Sequence, residues 1–370
     1  MACLTAKIQI LPNEENADLL SETMRQYASA CNFVAEYVFR THDIKQGSLN
    51  KELYHQIRDN FHLGSQMAQS VIITVIARYK TILTNQKKWI QPNFKHPQYD
   101  LVWNRDYSLT RGVFSVNTLS GRVKLNYYQK GMEQYFDGSW KFGTAKLVTK
   151  HGKWFLHIPM TKDVPELEDT SVSNVVGVDL GVNFLAATYD SRGKTKFFPG
   201  GKVKQKRAQN KAVRKELQRR QTPSARRRLK KIGQRENRWM ADVNHQVSKA
   251  LVEFYPTGTL FVLEDLTGIR GATEKVALKQ RYVLVSWAFY DLRKKIEYKA
   301  QIHGSKAIAV DPKYTSQTCP KCGHTHKLNR DKKNHIFVCR TCGYTSNDDR
   351  IGAMNLYRKG IEYLSAVAGE

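Results

Sequence analysis

Four of the six cysteines fall into two Cys-x-x-Cys pairs, and this spacing constrains the chain more than any other feature. Thr318-Cys-Pro-Lys-Cys-Gly323 and Cys339-Arg-Thr-Cys-Gly343 leave 16 residues between Cys322 and Cys339. Two pairs at this separation read as one tetrahedral Zn²⁺ site made by Cys319, Cys322, Cys339 and Cys342. Each following glycine permits the tight turn that aims backbone N–H groups at sulfur. Thiol redox chemistry needs one reactive pair rather than two, so the pattern points to a zinc ribbon. Cys3 and Cys31 stand alone and read as buried small hydrophobes.

The ribbon is a small part of a chain of 370 residues, long enough for two or three domains. With 41% hydrophobic and 11% aromatic residues the chain is not disordered. Sixty Lys and Arg against 33 Asp and Glu give a formal charge of +27. Such an excess repels itself in a compact state unless a polyanion offsets it, and nucleic acid is the natural partner. A membrane is not expected, because no apolar run approaches the roughly 20 residues of a span and no Lys-rich amphipathic anchor stands out. Met1 to Pro12 lacks a charged start followed by an apolar core, so a cytoplasmic, nucleoid-accessible protein is expected.

Cys3 to Leu11 alternates as a strand. Asn13 then starts a helix in which Leu20, Met24, Tyr27, Cys31, Val34 and Val38 recur at helical spacing. Leu53 to Arg58 reads as a short helix and Met67 to Trp89 as a long one, ended by Gln91 to Pro97. Strand patterns follow at Gly112 to Val116, Arg122 to Tyr127, Lys146 to Lys150 and Lys153 to Ile158, the last two flanking a tight His151-Gly152 turn. The simplest arrangement is a small β-barrel entered by the first strand and interrupted by the helical block. Arg122, Lys124, Tyr127, Tyr128, Lys130, Trp140, Lys141, Lys146 and Trp154 interleave cations and rings on these strands. That mixture suits phosphates and bases, although each ring taken singly reads as core. Thr161 to Ser173 reads as an acidic linker.

Beyond it, Val175 to Val178 is a β-branched run closed by a carboxylate, Asp179, with Gly181 just after. Phe184 to Tyr189 and Lys194 to Phe198 continue as strands. Lys202 to Trp239 then carries sixteen Lys and Arg against Glu216 and Glu236. Helix formers dominate, with a break at Thr222-Pro223-Ser224, so two basic helices are expected. Their apolar residues give each one packing face, and the remaining cations would repel one another without phosphates. The candidate nucleic-acid contacts are Lys204, Lys206, Arg207, Arg214, Lys215, Arg219, Arg220, Arg226, Arg227, Arg228, Lys230 and Lys231.

Asn244 to Phe254 continues helically, and Gly258 to Leu263 is a second buried strand that again ends on an acid, Glu264. Tyr282 to His303 reads as helix and Ala307 to Val310 as a short last strand. After the ribbon, Ser346 or Asn347 caps a final helix that carries Asp349 in its first turn, where the helix dipole favours an anion. Gly352 and Ala353 are small enough for that helix to pack closely on a sheet. Asp179, Glu264 and Asp349 thus end two strands and begin one helix, and in an RNase H-like fold those places converge. Carboxylates so close repel unless divalent cations sit between them, and two Mg²⁺ (or Mn²⁺) ions there support phosphodiester hydrolysis. Asp190, Asp265 and Asp348 stand near enough to compete for these roles.

The chain resembles TnpB-type proteins, the transposon-associated RNA-guided DNA endonucleases related to compact type V CRISPR effectors. The stretches that carry the resemblance are Gly177-Val-Asp-Leu-Gly181, Phe261 to Leu266, Ser286-Trp287, Tyr298-Lys-Ala300, Asp311 to Cys319, both cysteine knuckles, and Asp349 through Leu356. It is specific over roughly the last 200 residues and looser before. It implies a multidomain α/β protein with a wedge-like β-barrel (1–11 and 105–162) and an inserted helical recognition lobe (12–104). A linker (163–173) would lead to a RuvC-like nuclease domain (174–312 and 346–370) bearing a zinc ribbon or target-loading segment (313–345). It also implies a guide noncoding RNA, a target DNA duplex with its displaced strand, and a metal-binding catalytic triad at Asp179, Glu264 and Asp349. Ile351 departs from the pattern, since many relatives have Asn there.

Three other readings compete. A cleavage-inactive RNA-guided regulator would not need the complete triad. A metal-dependent transposase usually orders its acids Asp, Asp, Glu, whereas the order here is Asp, Glu, Asp. A zinc-ribbon binding protein without catalysis leaves the placement of the acids unexplained. Monomer and dimer are both compatible with the sequence.

Overall fold

In a computed structural model, the described residues are 1–95, 98–110, 112–129, 131–150, 152–265 and 289–369. They form two compact units, Cys3–Asp163 and Val164–Glu370, the latter including Met1 and Ala2. Lys130, His151, Ser286, Trp287 and the start of the helix expected from Tyr282 lie outside the described residues.

The first unit is an eight-stranded sheet with a helical insertion. β1 (Ala2–Leu11) alternates so that Ala6, Ile8 and Ile10 are buried. Cys3 faces outward on that alternation and is exposed, contrary to the buried role expected of it, whereas Cys31 is buried. Three helices follow: α1 (Glu14–Thr41), α2 (Gln46–Phe61) and α3 (Ser65–Gln86). Asn13 caps α1, its side chain accepting from the Asn16 N–H at 3.0 Å. α2 outruns the short helix expected because Leu49, Leu53 and Ile57 share one buried stripe.

The chain then returns to the sheet through β2 (Tyr99–Leu101), β3 (Tyr107–Thr110), β4 (Val113–Thr118), β5 (Gly121–Tyr128), β6 (Lys141–Phe142), β7 (Ala145–Lys150) and β8 (Lys153–Lys162). The order is β2-β7-β8-β1-β5-β4-β3, with β6 also on β8. β2 and β3 are consecutive in the chain yet end opposite sides of that order, linked by a short turn that carries an isolated Trp103–Tyr107 bridge. The sheet is therefore nearly a closed barrel. Trp140 and Trp154 are buried, so of the interleaved rings these two belong to packing.

The second unit is built on β9 (Asn174–Asp179), β10 (Phe184–Asp190), β11 (Thr195–Pro199), β12 (Thr259–Glu264) and β13 (Lys306–Val310). Their order is β11-β10-β9-β12-β13. β9 pairs antiparallel with β10 and parallel with β12, which in turn pairs parallel with β13. β9 and β12 are buried along their length until the terminal acid of each, as inner strands covered on both faces must be.

Among the described residues, this unit's α-helices are α4 (Gly201–Arg220), α5 (Pro223–Val252), α6 (Phe289–Ile302) and α7 (Asp348–Ala368). Val176, Val178, Phe261 and Leu263 pack with Met240, Leu251, Leu292 and Ile296, so α5 and α6 cover one face. Val175, Leu260 and Val262 pack with Leu356, so α7 covers the other. Between β13 and α7 runs a three-stranded ribbon of β14 (Arg330–Asp331), β15 (Ile336–Val338) and β16 (Thr345–Asn347).

α7 lies unusually close to the sheet. A Cβ on Gly177 would collide with the Ala353 carbonyl oxygen and the Tyr357 backbone nitrogen. A Cβ on Gly352 would stand 2.8 Å from the Asp179 carboxylate carbon, and one on Gly360 would stand 2.6 Å from Val262 Cγ2. Gly177→Ala must displace backbone, so it is expected to destabilise the second unit by about 3 kcal/mol or more. Gly47→Ala, with nothing within 4 Å of the new methyl, is the control and is expected to be neutral or slightly stabilising in urea unfolding.

Candidate metal centres and nucleic-acid interface

Three carboxylates meet at the end of the β9–β12 pair. The parallel register matches Leu263 with Val178, so the next residues, Glu264 and Asp179, end neighbouring strands side by side. α7 brings the third. Asn347 caps it, accepting from the Asp349 and Arg350 N–H groups at 3.1 Å each. Asp349 is thereby fixed in the first turn and is buried. Its carboxylate oxygens lie 3.8 and 3.9 Å from the place a Gly181 Cβ would occupy, while Asp179 lies against Gly352. Glycine on each element is what allows the two acids to approach.

Their electrostatics are those of crowded, desolvated anions. Burial raises the Asp179 carboxyl well above its usual range, and Glu264 and Asp349 raise it further. Burial likewise raises Glu264, against a hydrogen bond from Thr315 and the charges of Arg330 and Lys359. Asp349 is pushed up to about 6 by burial and by Asp348, against Arg330, His335 and Lys204. Asp349 Oδ2 is buried and accepts no hydrogen bond. Hard oxygen donors, mutual repulsion and a buried oxygen left over fit a divalent cation such as Mg²⁺. The three acids do not close to the spacing of a single compact cage. Among the described residues, the four thiols are the group of potential ligands whose atoms all lie within 4.8 Å of one another.

The competing acids have other partners. Asp190 closes the β10–β11 turn, accepting from the Arg192 and Lys194 N–H groups at 3.0 and 2.9 Å. Asp265 pairs with Arg293 at 2.7 Å. Asp348 accepts from Arg330 Nε at 2.8 Å and lies 3.5 Å from His335. Arg330, on β14 of the ribbon, turns inward onto Asp348, and its charge acts on all three carboxylates.

The thiols are arranged for zinc. Cys319 and Cys342 sulfurs lie 3.7 Å apart, and those of Cys322 and Cys339 lie 3.5 Å apart. Gly323 and Gly343 take φ of +77° and +70° to close the two knuckles. The Cys342 backbone N–H draws the Cys339 thiol down to about 6, while desolvation and the neighbouring thiols push Cys322 up to about 12. Ile351 of α7 packs with Cys319, Phe337 and Cys339, which accounts for an apolar residue at that position. Asn355 donates to the carbonyls of Thr315 and Thr318 at 2.7 and 2.8 Å, and Arg358 donates to that of Pro320. Chelating the metal, or Cys339→Ser, is expected to release the ribbon, read as loss of bound Zn²⁺ with rapid amide exchange in residues 313–345 that extends into the first turn of α7; full protection without zinc contradicts the assignment.

α4 and α5 form the basic hairpin, separated at the expected break and started by Thr222, which accepts from the Ala225 N–H. Lys204, Lys206, Lys215, Arg219, Arg220, Arg226, Arg227, Arg228, Lys230 and Lys231 are exposed. Arg207 and Arg214 correct the sequence reading. Arg207 is buried 3.7 Å from Glu236, and Arg214 Nη2 donates to the same carboxylate at 2.6 Å. A single buried acid between two helices draws in the nearest cations, so these two hold the hairpin together. Glu236→Gln is expected to cost about 3 kcal/mol or more in urea unfolding, because it leaves Arg207 charged and buried without its carboxylate.

Thr315, Asn355 and His335 were not singled out from sequence. Thr315 lies inside the Asp311 to Cys319 stretch that carries the resemblance, the one signal that could have marked it.

Comparison with known proteins agrees with this architecture. Residues 157–267 match the OrfB_IS605 family, described as "Probable transposase", and residues 289–356 match the Cas12f1-like TNB domain. The chain is similar to TnpB-like and Cas12f proteins. It is 29% identical over 252 residues to the CRISPR-associated endodeoxyribonuclease Cas12f1 of Sulfoacidibacillus thermotolerans, covering 64% of this chain and 57% of that one. It is 27% identical over 245 residues to the TnpB-like protein MJ0751 of Methanocaldococcus jannaschii, covering 64% and 84%. The chain spans about half the length of the first Cas12f relatives it matches. A Cas12f1–sgRNA–target DNA complex shares its fold, with a TM-score of 0.64 and 15% identity over 93% of this chain and 83% of that one. Among the described residues, no helix is long and apolar enough to cross a membrane.

Proposed function

We propose that this chain is an RNA-guided DNA endonuclease, acting in the cytoplasm on DNA adjacent to a short recognition motif. The observation that carries the reading is the convergence of Asp179, Glu264 and Asp349 from β9, β12 and the first turn of α7. The strand order β11-β10-β9-β12-β13 is the arrangement expected of a RuvC-like, RNase H-like nuclease domain. On this reading the barrel and its helical insertion are the wedge and recognition lobe, and the ribbon is the target-loading segment. The similarity to Cas12f and TnpB-like proteins supports a guide RNA and a DNA target for this chain as well.

Asp179, Glu264 and Asp349 would hold two Mg²⁺ or Mn²⁺ ions. Bound there, the ions would supply Lewis acidity toward the scissile phosphate and a nucleophilic water. The residues' own work is to fix oxygen ligands on two strand ends and a capped helix, elements too rigid to let the carboxylates drift. Arg330, held by Asp348, keeps a positive charge near the three carboxylates. The exposed cations of α4 and α5 would hold phosphates, and base pairing with the guide would read the sequence. The complete set of acids argues against a cleavage-inactive regulator, and their Asp, Glu, Asp order against a transposase.

Asp179→Asn tests this reading. The variant is expected to lose Mg²⁺-dependent cutting while retaining a copurified guide RNA. Because it removes one of three repelling charges, it should raise the Tm of the metal-free protein, by about 2–4 °C for each kcal/mol relieved. Unchanged cutting refutes the site, and sequencing that finds no defined RNA refutes the guide.

A further inference from the structure

One candidate metal ligand is held by a residue outside the carboxylate set. Thr315 is almost fully buried, and its Oγ1 lies 2.5 Å from Glu264 Oε1 and 3.0 Å from the Pro312 carbonyl. A hydroxyl has one proton to donate. The shorter contact and the charged acceptor both favour the carboxylate, because hydrogen bonds to ionised groups are roughly twice as strong as neutral ones.

The backbone that carries Thr315 is itself fastened. Asn355 is buried on α7, and both hydrogens of its amide are used, one on the Thr315 carbonyl and one on that of Thr318. Thr318 directly precedes the first zinc ligand, Cys319, and Asn355 lies on the helix that carries Asp349 six residues earlier. β12 and α7 are thus connected by a path separate from the sheet. It runs from Glu264 through the Thr315 hydroxyl to the Thr315 backbone, and on to Asn355.

We infer that Thr315 is a positioning residue, its hydroxyl fixing one oxygen of Glu264 so that the other serves as a metal ligand, with Asn355 as the strut that seats Thr315. The inference rests on the nuclease reading above and adds to it a residue that touches neither DNA nor ion. It makes a specific division. Removing the hydroxyl should weaken divalent-ion binding and leave the zinc ribbon and nucleic-acid binding intact. A residue that merely helped the fold would show the reverse.

The experiment uses the full chain with its copurified RNA. Mn²⁺ binding is measured by electron paramagnetic resonance without DNA, and cleavage is titrated with Mg²⁺. Zinc content, Tm and DNA binding in EDTA are followed in parallel. Thr315→Val is expected to raise the half-saturating Mg²⁺ and the Mn²⁺ dissociation constant about 10–100-fold, the usual effect of losing a partner that orients a ligand. Thr315→Ser, which keeps the hydroxyl, should restore both. Asn355→Ala, which keeps the hydroxyl but removes its support, should move both in the same direction. The proposal is overturned if Thr315→Val keeps wild-type ion dependence. It is equally overturned if the valine variant loses zinc or thermal stability in step with its activity, or if Asn355→Ala leaves the Mg²⁺ midpoint in place. Failure of the underlying reading shows separately, in the unsubstituted protein: Mn²⁺ binding there that is no stronger than in Glu264→Ala removes the site itself, and the proposal with it.

Discussion

The close seating of α7 on the β9–β12 pair is the contact on which the second unit depends. Two glycines make it possible from opposite sides. Gly177 leaves room in the strand for the backbone of the helix, and Gly352 leaves room in the helix for the Asp179 carboxylate. Gly360 repeats the device two turns later against Val175 and Val262. A methyl at either of the first two positions pushes the helix outward. Because Asp349 rides on the first turn, that displacement would separate it from Asp179. Fold and site therefore share one constraint, and the glycines that weaken helix and strand propensity are retained where backbone must approach backbone.

The consequence is an edge of the sheet where negative charge is concentrated and only partly offset. Arg330 favours all three anions and the N-terminus of α7 favours Asp349, while burial disfavours all three, Glu264 and Asp349 disfavour Asp179, and Asp348 disfavours Asp349; the disfavouring causes win at each carboxylate. The basic hairpin shows the opposite imbalance. Glu236 satisfies Arg207 and Arg214 between the helices, and the exposed cations along both outer faces have few acids to meet. A chain that carries +27 overall, yet crowds three acids at one place, is poorly balanced alone. Divalent ions at the edge and phosphates along the hairpin would correct both imbalances together, which is the physical content of the nuclease reading.

Much of this was legible in the sequence where the signal is local. The β-branched runs that end in Asp179 and Glu264 are strands because nothing else buries such residues so densely. The cysteine spacing reports a metal site because the knuckle geometry is set by four consecutive residues. Asn13 and Asn347 mark helix starts by their own hydrogen bonds. What stayed hidden depends on residues far apart in the chain. β2 and β3 are three and four residues long and become strands only because β7 and β4 supply partners. Arg207 and Arg214 look like their neighbours until α5 places Glu236 opposite them. Cys3 was assigned by residue type, but the alternation of β1 decided its exposure. Thr315 and Asn355 are ordinary polar residues whose importance is entirely in what they reach.

The position of the ribbon in the chain follows from the same reasoning. It is inserted between β13, the outermost parallel strand, and α7, the helix that completes the carboxylate set. With zinc bound, an element at that point would have its two ends fixed near each other by the metal. Its exit strand β16 leads directly into the Asn347 cap, and its entry segment places the Thr315 hydroxyl on Glu264. Ile351 and Asn355 then fasten it along α7 through an apolar contact and two hydrogen bonds. A flexible loop of the same length would leave the first turn of α7 free to fray, because helix ends are held by their caps rather than by internal bonds. The ribbon thus does more than contribute a surface. By ordering the chain on both sides of itself, it holds Asp349 and Glu264 in register with a strand that neither of them shares with it.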